Sequence, residues 1–185
     1  KEQPKYYNSI YFKDARAMRE LPDGSVSLII TSPPCFNVKD YSLDGRQTVS
    51  RGDKQKGQIG DIPEYDDYLK AMLKVWRECE RVLKPNGKLI INTPLMQMLK
   101  KNLNTHYNRH IFNIDSDIQH TITRKTDLFL LDLYVWNRTN PSKKLMFGSY
   151  PFPPNFYAQN TIEFITVYVK DGKPIRPTKE NKEAS

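Results

Sequence analysis

Val26-Ser27-Leu28-Ile29-Ile30-Thr31 runs directly into Ser32-Pro33-Pro34-Cys35-Phe36, and the chain is organised around that junction. A short apolar run between Gly24 and a Pro-Pro pair predicts a buried strand that stops abruptly, with polar and aromatic groups displayed at its carboxyl end. Open parallel sheets carry their chemistry at that end. Two consecutive prolines remove two backbone donors and fix two φ angles, so the carbonyls around them are not consumed by a sheet ladder. They form a rigid cluster of acceptors suited to gripping an amino group.

Outward from this strand, Tyr68, Leu69, Met72, Val75, Trp76, Cys79, Val82 and Leu83 recur at helical spacing and form one apolar stripe. Asp61-Ile62-Pro63-Glu64 is a capping-box-like start and Pro85-Asn86-Gly87 a stop, which predicts a helix of about five turns. Lys88-Leu89-Ile90-Ile91-Asn92 then reads as a second buried strand. Strand, helix and strand with a continuous apolar run at each end predict a parallel βαβ unit. The stripe residues are core, and they carry no chemistry.

Upstream, residues 1–9 form a polar lead-in, Ser9-Ile10-Tyr11-Phe12 reads as a short strand, and Arg16 to Leu21 as one or two helical turns closed by Pro22-Asp23-Gly24. Residues 37–60 are polar and glycine-rich, and a segment of that length is expected to be a mobile substrate-facing loop. Further on, Leu95, Met96, Met98, Leu99 and Leu103 suggest a short helix, and Ile111, Ile114, Ile118 and Ile122 a second. Leu128 to Trp136 and Thr161 to Val169 read as strands, paired antiparallel across a basic, proline-rich connector at 139–160. The expected architecture is α/β: a partial Rossmann-like sheet with parallel βαβ units and an antiparallel strand pair at the C-terminal end. Residues 1–170 would form one domain, with 171–185 a disordered tail or linker.

Composition narrows the function classes. The 185 residues suffice for one domain with a real core; 27% are charged, and the net charge of +8 with a pI near 9.4 suits a polyanionic partner. No stretch reaches the length of a membrane span, and Lys1-Glu2-Gln3-Pro4-Lys5 lacks the apolar region of a signal peptide. Cys35 and Cys79 lie far apart and form no CxxC pair, which fits a reducing, cytoplasmic setting better than a disulfide scaffold or a zinc site. His106, His110 and His120 have no carboxylate or cysteine pairing of the kind a metal needs, so no metal is expected.

Ser32-Pro33-Pro34, preceded by Asp14-Ala15 and Asp23-Gly24-Ser25-Val26, resembles the catalytic motif of the DNA amino-methyltransferases, which modify cytosine at N4 or adenine at N6. The resemblance continues through Phe36 to Tyr41, Gln58-Ile59-Gly60, Glu80 to Gly87, Val135-Trp136-Asn137-Arg138 and Asn160 to Glu163. Their order is that of the circularly arranged subgroup, whose catalytic half precedes its cofactor half. An aromatic amino group is a poor nucleophile, because its lone pair is delocalised into the ring. Two acceptors that bind its two hydrogens favour a pyramidal nitrogen and aim the lone pair at an electrophile. On this resemblance Ser32 supplies one acceptor through its hydroxyl and Pro33 another through its carbonyl, with Pro34 completing the motif.

The resemblance further implies S-adenosyl-L-methionine as methyl donor, with Asp14, Ala15 and Thr31 on the cofactor side. Asp14 could equally cap the helix expected after it. Double-stranded DNA is the implied partner, and its target base must be flipped out to be reached. The family usually places an aromatic residue directly after the second proline to stack on the base. Cys35 stands there in this chain, so Phe36 or Tyr41 would take that role, or Cys35 would make a weaker apolar contact. Lys39, Arg46, Arg51, Lys54, Lys143 and Lys144 are candidates for phosphate contact. Serine at the first motif position favours cytosine over adenine. The family's glycine-rich cofactor turn has no counterpart, since no two of the eight glycines form GxG. That leaves three expectations: a fragment of a longer restriction-modification methyltransferase, one subunit of a split enzyme whose second chain supplies the missing half, or a non-catalytic nucleic-acid-binding module.

Overall fold

A computed structural model describes residues 6–36, 57–98, 110–138 and 161–173. Among these described residues, six strands and two α-helices follow in the order β1 (Val26–Thr31), α1 (Tyr65–Val82), β2 (Leu83–Pro94), β3 (Met96–Met98), β4 (His110–Phe112), α2 (Ile114–Lys125), β5 (Leu128–Asn137) and β6 (Ile162–Lys170). The main sheet has the order β1-β2-β6-β5, and β3 pairs with β4 in a small separate ribbon. β1 and β2 are parallel, with Ile30 opposite Ile90 and Thr31 opposite Ile91. β2 with β6 and β5 with β6 are antiparallel. The architecture is therefore the mixed α/β sheet expected, including the antiparallel pair at the C-terminal end, where Arg138 and Glu163 add a 2.8 Å ion pair.

α1 forms where the apolar stripe predicts it, and it buries Tyr68, Met72, Val75, Trp76 and Cys79. Asp66 and Asp67 lie in its first turn and Arg81 in its last, the polarity that a helix dipole favours. The expected capping box is not made. Glu64 is the N-cap without a side-chain bond, and Asp61 belongs to a separate 3-10 turn at Ile59–Asp61. Pro85-Asn86-Gly87 does not end the helix either, because β2 already begins at Leu83. Between the pairs Val26–Leu83 and Leu28–Lys88 the register shifts, and the turn residues are absorbed as an irregularity in the strand, with Asn86 at φ 61°.

Both helices pack on one face of the sheet. Leu89, Ile91 and Tyr168 meet Trp76, Ile118 and Ile122 there in a continuous core. Asp115, in the first turn of α2, accepts hydrogen bonds from the hydroxyls of Thr93 (3.0 Å) and Thr166 (2.7 Å), which ties that helix to β2 and β6. Lys170 at the end of β6 donates to the carbonyls of Glu80 and Leu83 where α1 runs into β2. Buried polar groups joined in this way fix the register of helix on sheet as well as its stability.

Several expectations are corrected. Ser9 to Phe12 form no strand, and Arg16 to Leu21 form turns and not a helix. The sequence there is short and has no sheet neighbour to complete a ladder. Met96 and Met98 lie in a strand and not in the expected helix, and Ile111 belongs to that strand's partner and not to α2. Spacings of two and of three or four coincide in so short an apolar run. The proline-rich connector, nearly all of the 37–60 loop and residues 174–185 lie outside the described residues.

Candidate active site

Ser32 to Phe36 leave the carboxyl end of β1 beside the carboxyl end of its parallel neighbour β2. Ser32 is exposed and Pro33, Pro34 and Cys35 are half-buried. The Ser32 hydroxyl donates to Asn92 Oδ1 at 3.3 Å, and Asn92 Nδ2 in turn donates to the Phe164 carbonyl at 3.3 Å. The Pro34 carbonyl accepts a 2.8 Å hydrogen bond from Tyr68 Oη on α1. The prolyl segment is therefore held from the sheet side through Ser32 and from the helix side through Pro34. Pro33 lies between these two anchors.

Phe36 is only 5% exposed, so its ring is not offered to a flipped base. It packs edge-on against Tyr65 at 5.1 Å between centroids and tilted against Tyr68 at 5.5 Å, and Tyr65 meets Phe112 at 5.0 Å. This corrects the stacking expectation for Phe36, since the ring serves as the hydrophobic foot of the loop. Tyr65 donates to Asp117 Oδ2 at 2.6 Å, and burial followed by that carboxylate keeps its phenol protonated well above the ordinary tyrosine range. Tyr41, the other aromatic candidate, lies outside the described residues, as do Lys39, Arg46, Arg51, Lys54, Lys143 and Lys144. Cys35 keeps its place directly after Pro34.

An open cleft of about 720 Å³ adjoins the motif, lined among others by Tyr11, Phe12, Asp14, Ala15, Pro34 and Ile59. It brings Asp14 and Ala15 together with the prolyl segment, although β1 and the turns before it intervene in the chain. Thr31 is not part of that lining; it stands half-buried on β1 opposite Ile91, on the helix-covered face. Arg16 holds the Asp14 carboxylate through Nε at 2.9 Å and Nη2 at 2.6 Å, and its backbone N–H donates at 2.9 Å. Those bonds keep the Asp14 carboxyl below the usual carboxylate range. Asp14 closes a turn and caps no helix, with Ala17 N–H donating to its carbonyl at 3.1 Å.

The segment carrying Asp14 is bolted to α1 further along. Arg81 donates to the carbonyls of Met18 and Leu21, both at 2.9 Å, and pairs with Asp23 and Glu78. The Met18 N–H donates to Glu78 at 2.7 Å. The Glu78 hydrogen bonds hold the Arg81 guanidinium charged far into alkali, and Arg81 in return lowers the Glu78 pKa. Among the described residues no group of three His, Cys, Asp or Glu is placed to hold a metal. No helix there is long and apolar enough to cross a membrane.

Sequence reasoning misses three contributors. Tyr68 reads as core from its spacing, yet its hydroxyl carries the Pro34 anchor. Phe12 reads as part of a strand, yet its ring is 96% exposed on the cleft wall. Asn92 reads only as the end of a strand. Aligning the two apolar runs in parallel is the signal that could find it, since pairing Thr31 with Ile91 sets Ser32 beside Asn92.

Comparison with known proteins agrees with this geometry. A family model described as DNA methylase, the N6/N4 methyltransferase family, matches residues 26–185. The Type II methyltransferase M.MthZI of Methanothermobacter thermautotrophicus is 27% identical over 94% of this chain and 47% of its own length. M.MjaI of Methanocaldococcus jannaschii is 28% identical over 90% of this chain and 56% of its own. Among solved structures, a protein from Thermus thermophilus, described as a putative DNA modification methylase and complexed with S-adenosyl-L-methionine, superposes with a TM-score of 0.63. It is 26% identical, over 92% of this chain and 56% of that one. The PvuII cytosine-N4-specific DNA methyltransferase, at 14% identity and a TM-score of 0.57 over 86% of this chain and 48% of its own, shares the fold. The chain spans about half the length of these relatives, and with a family match over residues 26–185 it belongs to the N6/N4 DNA methylase family.

Proposed function

We propose that this chain carries the target-base half of an S-adenosylmethionine-dependent DNA methyltransferase acting on an exocyclic amino group, with cytosine N4 favoured over adenine N6. The observation that carries the reading is the position of Ser32-Pro33-Pro34. The motif sits at the carboxyl end of a parallel strand pair, anchored on both sides, at the rim of the cleft that Asp14 and Ala15 line. The cleft fits a nucleoside-bearing cofactor, because its volume lies within the range of small-molecule sites and it offers an exposed Phe12 ring beside the Asp14 carboxylate. Asp14, Ala15 and Phe12 would hold that cofactor. Bound there, S-adenosylmethionine supplies an electrophilic methyl group.

The chain's own residues position the acceptor nitrogen. Ser32 Oγ takes one amino hydrogen and the Pro33 carbonyl the other, which turns the nitrogen lone pair out of the ring plane. Ser32 is not a nucleophile, and no histidine is required as a base, since the nitrogen becomes acidic once methylated and releases its proton to water. Cys35 gives the flipped base an apolar contact in place of an aromatic one. The net charge of +8 supports a duplex partner, with Lys39, Arg46, Arg51, Lys54, Lys143 and Lys144 as phosphate contacts. The Type II names of the relatives support a restriction-modification setting.

Methyl transfer to duplex DNA by the full protein tests the reading. Ser32→Ala should lower the single-turnover rate by about a hundredfold, the scale of losing one preorganised hydrogen bond to the reacting group, with little change in DNA affinity. An unchanged rate would remove Ser32 from the chemistry. A product carrying methyl on adenine would overturn the cytosine preference alone.

A further inference from the structure

The amino-group reading requires Ser32 to act as a hydrogen-bond acceptor, yet a serine hydroxyl carries one proton and two lone pairs and rotates freely. Left to itself it would spend much of its time pointing that proton into the site, where it repels an amino hydrogen. The proton has to be held elsewhere. Asn92 meets that requirement, and three features of its geometry fix the assignment.

The Phe164 carbonyl can only accept, so the atom of Asn92 that faces it at 3.3 Å is the amide nitrogen. The other end, facing Ser32 at 3.3 Å, is then the carboxamide oxygen, which has no proton to give. Ser32 must therefore be the donor in that contact, and both lone pairs of its Oγ remain for the site. Asn92 itself is set by backbone pairing, being opposite Ile165 in the β2–β6 ladder and one residue beyond the Thr31–Ile91 pair of β1 and β2. Orientation thus passes from the backbone of β6 through one side-chain amide to the Ser32 hydroxyl.

We infer that Asn92 is a positioning residue that locks Ser32 as an acceptor toward the target amino group. Resting on the function proposed above, this explains how a neutral serine selects amino over keto bases. A keto oxygen presents only lone pairs to Oγ, and Ser32 has no proton left to offer it. Asn92 does not titrate, so this device adds no ionisation to the pH dependence of transfer.

A double-mutant cycle on the single-turnover methyl-transfer rate of the full protein decides the matter. Asn92→Leu should slow transfer roughly tenfold, the order expected for one neutral hydrogen bond, with KM for DNA nearly unchanged. In the Ser32→Ala background the same substitution should cost less than about twofold, because the hydroxyl it orients is gone. Equal losses in both backgrounds would mean that Asn92 supports the fold and not Ser32, and would overturn the inference. So would an undiminished rate for Asn92→Leu. If Ser32→Ala alone left the rate intact, the amino-group reading itself would fail, whatever Asn92 did.

Asn92→Asp separates orientation from folding. The ionised carboxylate keeps an acceptor toward Ser32 but sets a second one against the Phe164 carbonyl, where the amide donates. Protonation on that side restores a donor to Phe164 and leaves the other oxygen accepting from Ser32, so the rate of the variant relative to the wild type should rise as pH falls between about pH 7 and pH 4. A ratio of variant to wild-type rate that stayed constant over that interval would overturn the inference.

Discussion

At β1 and β2 the two faces of the main sheet are built from similar residues and have opposite fates. On the face that α1 and α2 cover, Leu89 and Ile91 of β2 are 0% and 1% exposed. On the other face the cross-strand register lines up Leu28 and Ile30 of β1, Ile90 of β2, Ile165 of β6 and Tyr134 of β5. Ile30 is 69% exposed there and Tyr134 55%. Among the described residues no helix lies over this second face. Apolar character sets which residues can form a core, whereas the placement of connections decides which of them do. The same contrast locates the site, since the motif lies at the strand ends where the two faces meet and takes one anchor from each: Tyr68 from the helix side, Asn92 from the sheet.

One isoleucine on each face separates the two most sharply. Ile91→Ala on the covered face should cost about 2–5 kcal/mol in urea unfolding, through lost transfer free energy and the cavity left beneath α1. A loss under about 1 kcal/mol would mean that the helices are not firmly seated. Cys79 probes the same interface by titration. Burial among the α1 core residues raises its thiol pKa from its ordinary value near 9 to about 12. The folded state then holds the proton more tightly than the unfolded chain. Stability from this group is therefore complete below about pH 9 and is lost as pH rises from there toward 12. Alkylation at about pH 8 should follow the same logic, with Cys79 modified only on unfolding and Cys35, half-buried in the site loop, modified in the native protein. Equal labelling rates for the two thiols would break the contrast.

Strong periodic signals translate directly into structure. The α1 stripe, the βαβ unit, α2 from Ile114 onward and the antiparallel β5–β6 pair follow from spacing alone. Elements shorter than about two turns do not, because Met96 to Met98 and Ser9 to Phe12 satisfy helix and strand templates equally, and only tertiary partners decide between them. The runs Val26 to Thr31 and Lys88 to Asn92 predict strands buried on both sides, and the structure buries one side. Hydropathy records what a residue would gain from burial, and it carries no information about whether a neighbour arrives. At the candidate site, Ser32-Pro33-Pro34 reads as a rigid acceptor cluster because its groups are adjacent in sequence, whereas Asp14 is reached only through the resemblance. Asn92 and Tyr68 are legible in neither way, since their roles depend on strand register and on the direction of a hydroxyl across an α/β interface.

The smallest expected effect tests the open face itself. Ile30→Ser removes an apolar side chain that is mostly in water already, so the transfer and cavity contributions both shrink, and the change in unfolding free energy should stay within about 0.5–1 kcal/mol. Part of that comes from the lower strand preference of serine and from the contact with Ile90 across the parallel ladder. Binding of a hydrophobic dye should fall in the same variant, because Ile30 is the most exposed residue of that apolar stripe. A loss as large as that of Ile91→Ala would reverse the comparison, for it would show that the side chain is covered in solution. Its dependence on protein concentration would then distinguish burial between copies of the chain from burial within one. A small loss together with weaker dye binding would leave the two faces as different as the register makes them.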